Sequence, residues 1–453
     1  MRDVVVFMLF VGVLPMCFLR PWIGVLTFSW LAYNRTQDLT WGFARTLPIA
    51  QLVAVAMILG WMVWEFTPIW RRDARMKAMV ALFFVIGISM FTNTLRLDQQ
   101  WHRYTELGKI VFVSMLTCAL IKDRIRLRQI GLCISLALGF YGIKNGLWFL
   151  AGQGTIIGPG GMLKDNNDFA LAMVMNLPFL WYLRGEARQV KKYGMLLAPL
   201  MLGTFFLTIL AVGSTGSRGG ILSMGVTIGV MLLKSRYKVP AIVMGVVLGV
   251  AAVAVAPPEL RERMSTLTLN VDEMDGSAQG RIVSWMVAGN MIKQNPVLGI
   301  GFNNMVFDYH RYLSGVTLPS GIKEIPNRVA HNSYLQIWAE SGTIAYSLYM
   351  FMVLSTIWYC VKTARAAKAR QQDWALAYTN SIQVTLLGFL VGATFLNRAH
   401  FDLVYQLVAI AVAIPVAVAA EEARTRRSRR VGVSLPDDVR VRHKDPFVKV
   451  SMS

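Results

Sequence analysis

Apolar and polar stretches alternate along the whole chain. Apolar runs fall at 4–19, 21–34, 46–65, 78–93, 109–121, 129–150, 168–183, 194–212, 217–234, 239–256, 341–361, 376–396 and 401–420. A membrane-spanning helix takes roughly 17 to 25 mostly apolar residues, and shorter runs cross with tilt or flanking help. The pattern predicts an all-α polytopic membrane protein. The first run, Val4 to Leu19, lacks a small-residue cleavage site and leads straight into "RPWIGVLTFSW". It is expected to persist as membrane structure, not to be removed as a signal peptide.

The polar links sort the runs into an orientation. "RRDARMK" (71–77), "KDRIRLR" (122–128), "RGEARQVKK" (184–192), "KSRYK" (234–238), "KTARAAKAR" (362–370) and the tail stretch "RTRRSRR" (424–430) are basic and recur on every second link. They satisfy the positive-inside rule on one side. A cytoplasmic start then requires an odd number of crossings before residue 46, so 4–19 and 21–34 together count as one span and one half-inserted segment. About twelve spans are expected.

On the opposite side lie 94–107, 151–167, 213–219, 257–340 and 397–400, of which 257–340 is by far the longest. Long structureless loops are uncommon in compact folds. This one contains two helix-like stretches, "PPELRERMSTL" and "RIVSWMVAGNMIKQNP", so a small folded cap is expected. The expected organisation is a transmembrane bundle over 1–256, a loop subdomain over 257–340, further transmembrane helices over 341–420 and a basic cytoplasmic tail over 421–453. The tail reads most simply as an anchor against anionic headgroups.

Composition agrees: 55% of the residues are hydrophobic. The net charge of +21 would suit nucleic acid, but the basic residues sit in short clusters between apolar runs, not on one face, so no nucleic-acid partner is expected. Cys17, Cys118, Cys133 and Cys360 all lie in apolar runs without CxxC spacing, which indicates neither a disulfide framework nor a cysteine metal site.

The polar residues on the outer side carry the candidate chemistry. Arg218 heads an apolar run in "GSTGSRGG", and Arg281 follows "GSAQG" in the first turns of an expected helix. His331 and Asn332 open the helix of "RVAHNSYLQIWAESG", with Arg328 just before them. "LKDNNDF" contributes Asp165 and Asn166, and "NRAHFD" contributes Arg398, His400 and Asp402. Each alone has a plainer reading. Arg218 could snorkel to headgroups, Arg281 could face solvent, His331 could be hydrogen-bonded structure, and Asp165 and Asn166 could cap the next span.

Together they fit one task. Guanidinium forks bind phosphate oxygens bidentately and stay charged, as a diphosphate leaving group requires. A histidine near cations stays neutral and can accept a proton from a hydroxyl. The set outlines group transfer without a metal. Asp272, Glu273 and Asp275 of "VDEMD", with Asp165 and Asp168, are the carboxylates that could hold a divalent ion instead, but "VDEMD" runs into Gly276 in what reads as a polar loop, and no metal or cofactor is expected.

At these residues the chain resembles the O-antigen ligase family, which shares a domain with O-antigen polymerases and protein O-oligosaccharyltransferases. The resemblance rests on "SRGG" leading a span, the Arg before "NPVLGIGFNN", the "HNSYLQIWAESG" block and "LKDNNDFALAMVMNLPF", in family order and strongest from 160 to 345. "RPWIGVLTFSWLAYNRTQDLTWGFA" resembles the exosortase-associated O-glycosylation ligase subgroup.

The resemblance implies a glycosyltransferase at the periplasmic face of a Gram-negative inner membrane. It would move a glycan from undecaprenyl diphosphate to lipid A-core, inverting the anomeric carbon without a metal, in lipopolysaccharide biosynthesis. It assigns the family's essential residues to Arg218, Arg281 and His331. Read with the residues themselves, His331 is the expected general base, Arg218, Arg281 and Arg328 the donor diphosphate site, and Asp165, Asn166, Asn332, Arg398, His400 and Asp402 the supporting set. A polymerase or a protein-glycosylating enzyme would use the same residues on another acceptor. A transporter or flippase should carry ionisable groups at mid-membrane and repeated halves, whereas this chain puts its charges at the outer ends of spans.

Overall fold

The computed structural model describes residues 2–68, 73–92, 97–153, 158, 163, 165–235, 238–240, 243, 276–316 and 327–431. Among the described residues every regular element is a helix. In chain order the main ones are α1 (Arg2–Leu19), α2 (Pro21–Asn34), α3 (Ile49–Trp64), α4 (Ala74–Ser89), α5 (Leu97–Leu120), α6 (Arg124–Leu150) and α7 (Asn166–Tyr182). They continue as α8 (Gly194–Ser214), α9 (Arg218–Leu233), α10 (Gly276–Gln294), α11 (Ser333–Ala369), α12 (Asp373–Ala393) and α13 (Asp402–Val431).

Among the described residues, seven helices are long and apolar enough to cross a membrane: Arg2–Leu19, Ala74–Thr92, Arg124–Leu150, Gly194–Ser214, Ser333–Ala369, Asp373–Ala393 and Asp402–Arg427. Ile49–Trp64 and Arg218–Leu233 are apolar but shorter. The run at 239–256 lies almost wholly outside the described residues, and "PPELRERMSTL" and "VDEMD" lie entirely outside them.

The chain begins as a helical hairpin. Arg20 separates α1 from α2, which starts on Pro21, where the missing N–H costs nothing. Asp3 accepts hydrogen bonds from the backbone N–H groups of Gly42 (2.9 Å) and Ala44 (3.1 Å), beyond the far end of α2. The chain therefore comes back to the end of the bundle at which α1 starts. The odd number of crossings expected before residue 46 rested on an inward start, and the backbone instead forms two antiparallel helices.

Most of the basic links gather at one end of the bundle. Glu186, nearly inaccessible in the 184–192 link, takes Arg124 at 2.5 Å and Arg128 at 3.1 Å. Glu65 at the end of α3 takes Arg126 (2.5 Å) and Lys122 (2.7 Å), and Arg370 reaches Glu422 at 3.3 Å. Lys234 donates to Asn380 (3.0 Å) and Gln383 (2.7 Å) on α12. The positive links thus tie α3, α6, α12 and α13 together where they emerge.

At the centre stands α7, buried at every residue from Asp168 to Leu180. It packs against α6, α8, α9 and α12. Pro178 withdraws one backbone donor, and hydroxyls of α12 reach the neighbouring carbonyls: Thr385 donates to Met175 O (2.9 Å) and Ser381 to Pro178 O (3.4 Å). Ser223 on α9 donates to Gly388 O on α12 at 2.7 Å, a close approach that small residues permit.

A second buried cluster stands apart from the main core. Val283, Val287 and Met291 of α10 meet Ile300, Met305, Tyr309, Tyr312 and Ala339. The stretch 295–305 is laid onto α11 by backbone bonds from Ile300 N to Ala339 O (3.0 Å), Gly301 N to Glu340 O (3.0 Å) and Thr343 N to Pro296 O (2.8 Å). Gly342 makes room for it. Its φ of 78° and ψ of 179° interrupt α11, and a Cβ there would stand 2.0 Å from Val297 O. Only glycine adopts that conformation readily.

Gly342→Ala should therefore destabilise the protein beyond the roughly 1–3 kcal/mol of backbone strain, since the contacting atom is backbone. Thermal unfolding in detergent should show a lowered midpoint, whereas Gly203→Ala, which meets open space within a helix, should not lower it.

Candidate active site

At the end opposite the basic links, four helix starts and one loop converge. Asp165 caps α7 by accepting from Asn167 N at 2.9 Å, and Asn166 is the first residue of that helix. Ser217 caps α9 in the same way, its Oγ accepting from Gly220 N at 3.0 Å and donating to Asn167 Oδ1 at 2.7 Å. That bond ties the heads of α7 and α9 together. Arg218 follows at once, half-buried at the first position of α9.

The head of α11 is fixed likewise. Asn332, buried, accepts from Tyr334 N (3.0 Å) and Leu335 N (3.1 Å), so its demonstrable work is that of an N-cap. Ser333 donates to Leu396 O at 2.6 Å and accepts from Arg398 N at 2.8 Å. This holds the 396–400 loop on α11. The Arg398 guanidinium then pairs with Asp168 in the first turn of α7. Arg398 Nε is buried without a hydrogen-bond partner among the described residues.

His331 stands half-buried among these groups, with φ at 46°. Burial lowers its pKa from the ordinary value, and Arg281 lowers it further; Asp165 opposes, and Arg328 and Arg398 add to the lowering. A lowered value means that the imidazole stays neutral, able to accept a proton, to below the ordinary pH of about 6.5. Arg281, Arg328, Arg398 and Asp165, spread over more than 230 residues of sequence, thus act electrostatically on one ring.

The segment before His331 is anchored to α10, which carries Arg281. Trp285 Nε1 donates to Ala330 O at 2.9 Å, and Arg328 lies so close over Gly280 that a Cβ there would stand 2.0 Å from its Nη1. His400 and Asp402 are farther along the loop. His400 bonds Tyr405 OH at 2.8 Å and packs edge-on to Phe302, and burial drops its pKa to about 4. It is a neutral, half-buried histidine. Asp402 begins α13, with Oδ1 buried and without a hydrogen-bond partner among the described residues.

Two apolar grooves of about 470 and 440 Å³ run beside α5 and share Trp101 and Tyr104. The head of α5 is joined to the 295–305 stretch through Gln100 Nε2, which donates to Asn304 Oδ1 at 3.0 Å, both residues fully buried. Among the described residues no three His, Cys, Asp or Glu side chains form a metal cluster.

Two features were missed in the sequence reading. Asp168 was considered only as an oxygen ligand, and its role as partner of Arg398, far away in the chain, leaves no local signal. Gln336 and Glu340, four apart on the apolar start of α11, form a buried pair that also accepts from Ala330 N and Met305 N.

A neutral base among guanidiniums is an arrangement for removing a proton beside an anionic group. Residues 203–350 match the O-antigen ligase family. The chain thus carries an O-antigen ligase family domain over those residues. Residues 1–183 match a family of unknown function. No curated protein matches the chain. That domain, together with the apolar helices, supports a membrane protein of O-antigen ligase or polymerase type, a glycosyl-transfer class. The matched stretch takes in Arg218, Arg281, Arg328 and His331; Asp165, Asp168, Arg398, His400 and Asp402 stand outside it.

The left-handed backbone at His331 yields a stability prediction. For an L residue this conformation costs roughly 1–2 kcal/mol, which glycine avoids. His331→Gly should unfold at a higher temperature than His331→Ala. Equal midpoints would show that the backbone there is unstrained.

Proposed function

We propose that the protein is an O-antigen ligase, with His331 as general base and Arg218, Arg281 and Arg328 as the donor diphosphate site. It is a multi-pass protein of about twelve spans in a Gram-negative inner membrane, with 257–340 forming a periplasmic cap that holds part of the site. The basic tail over 421–453 faces the cytoplasm. The donor is a glycan on undecaprenyl diphosphate and the acceptor a sugar hydroxyl of lipid A-core. The N-terminal resemblance supports assignment to the exosortase-associated subgroup.

The observation that carries this reading is the convergence of Arg281, Arg328 and Arg398 on the half-buried, neutral His331. The acceptor hydroxyl attacks the anomeric carbon as its proton passes to the imidazole. The bond from that carbon to the diphosphate oxygen breaks on the opposite face, and undecaprenyl diphosphate departs with its charge held by guanidiniums. One displacement inverts the anomeric carbon. Positive charge that a divalent ion would supply elsewhere comes here from arginines, so no metal is required. Arg398, fixed by Asp168, sets the potential at His331, and Asp165 with Asn166 lines the entrance. Asn332 holds the loop, while His400 and Asp402 support the 396–402 segment. The polyprenyl tail would leave the diphosphate along the bundle's apolar surface, for which the grooves beside α5 are suited.

Purified full-length protein in nanodiscs, given undecaprenyl-diphosphate glycan and lipid A-core with chelator present, should form ligated product. His331→Ala should lose about 10²- to 10⁴-fold in turnover, the usual contribution of a positioned base, and Arg218→Ala and Arg281→Ala comparably or more. Near wild-type turnover of His331→Ala would remove the base assignment. Donor consumption into longer chains or onto protein, with none on lipid A-core, would move the acceptor to that of a polymerase or a protein O-oligosaccharyltransferase.

Gly280→Ala gives a finer test, because it displaces the Arg328 guanidinium without removing its charge. Undecaprenyl diphosphate should bind several-fold more weakly to this variant, since a guanidinium fork holds phosphate through fixed geometry. Unchanged affinity would place Arg328 outside the diphosphate site.

A further inference from the structure

His331 is held in a left-handed conformation, and the stretch leading into it has to be fixed from both sides. After it, Asn332 caps α11. Before it, Ala330 is held at both backbone groups: its carbonyl accepts from Trp285 Nε1 at 2.9 Å, and its N–H donates to Gln336 Oε1 at 2.9 Å.

Gln336 is itself oriented. Its Nε2 donates to Glu340 Oε1, one turn along α11, and the same carboxylate oxygen accepts from Met305 N at 3.1 Å. Gln336 and Glu340 are 6% and 5% exposed, and Ala330 and Met305 are fully enclosed. A carboxamide can face either way, but Glu340 Oε1, which already accepts from Met305 N, faces the amide as an acceptor. Glu340 therefore draws the Gln336 amide nitrogen to itself and turns the amide oxygen toward Ala330 N–H.

We propose that Gln336, oriented by Glu340, is a positioning residue that sets the location of His331 for proton transfer. The inference rests on His331 being the base. Without Gln336 the Ala330 N–H is left buried with no acceptor, and the backbone at His331 is free to relax toward negative φ, carrying the imidazole away from its place. The same pair links the base to the 295–305 stretch, since Glu340 takes Met305 N while Gly301 N takes Glu340 O. A displacement of about 1 Å at a reacting group can lower a rate by on the order of 10²-fold.

The experiment compares wild type, Gln336→Leu, His331→Ala and the double variant as full-length protein in nanodiscs. It measures transfer from undecaprenyl-diphosphate glycan to lipid A-core and the pH dependence of kcat/KM. Gln336→Leu should lower kcat by about 10- to 100-fold and move the acid limb toward the ordinary histidine value of about 6.5 as the ring leaves its site. In the His331→Ala background the same substitution should change the residual rate less than twofold, because the residue it positions is gone. If Gln336→Leu does not insert, Glu340→Gln keeps an acceptor for Gln336 while releasing its orientation, and should show the same shift of the limb at smaller loss.

An unmoved acid limb, with losses that multiply in the double variant, would overturn the positioning role while leaving His331 as base. Full turnover by His331→Ala would overturn the base reading and this inference with it.

Discussion

The site depends on like charges being held near one another around a partly buried imidazole. Arg281, Arg328 and Arg398 all act on His331, with Asp165 opposing and Asp168 engaging only Arg398. Guanidiniums in such proximity repel, and in a partly desolvated setting that repulsion is screened little. In the proposed reaction, an arriving diphosphate would relieve it. Burial, helped by the same charges, favours neutral His331, so under the proposed function one arrangement would serve both the leaving group and the base.

The rest of the bundle holds these groups in place. At the basic end, Glu65, Glu186 and Glu422 meet arginines and a lysine in direct ion pairs and fasten helices together. At the site end, beside the Arg398–Asp168 ion pair, fixation comes mostly from hydroxyls, amides and one capping carboxylate: Ser217, Ser333, Asn332, Gln336 and Asp165. The fully buried α7 is the common support, because its head carries Asp165, Asn167 and Asp168.

Much of this was legible in the sequence, for a physical reason. Charged residues rarely face lipid without a role, so Arg218, Asp165 and Arg398 at the ends of apolar runs, and Arg281, Arg328 and His331 in the long outer loop, stood out in the sequence as candidates. Helix starts were legible because caps are local: "HNS" and "GSRGG" carry theirs within three residues. Pairings across the chain were not. Asp168 and Arg398 meet only through tertiary packing, and Gln336 and Glu340 sit within an apolar pattern that hides a polar pair. The direction of α1 was read from charge rules, which say nothing about a short helix that packs on α2 and α3. The link 94–107 looked like loop because its first residues are polar, yet α5 begins at Leu97 with Gln100 turned into a buried contact.

The most direct test of the central claim is the titration of His331 itself, followed by NMR of labelled imidazole in the full-length protein, with His331→Ala assigning the signal among the five histidines. A midpoint below about 6.5 that rises toward it in Arg281→Gln is the result expected from a ring kept neutral by burial and guanidinium charge. A midpoint at or above 6.5, indifferent to Arg281, would contradict it.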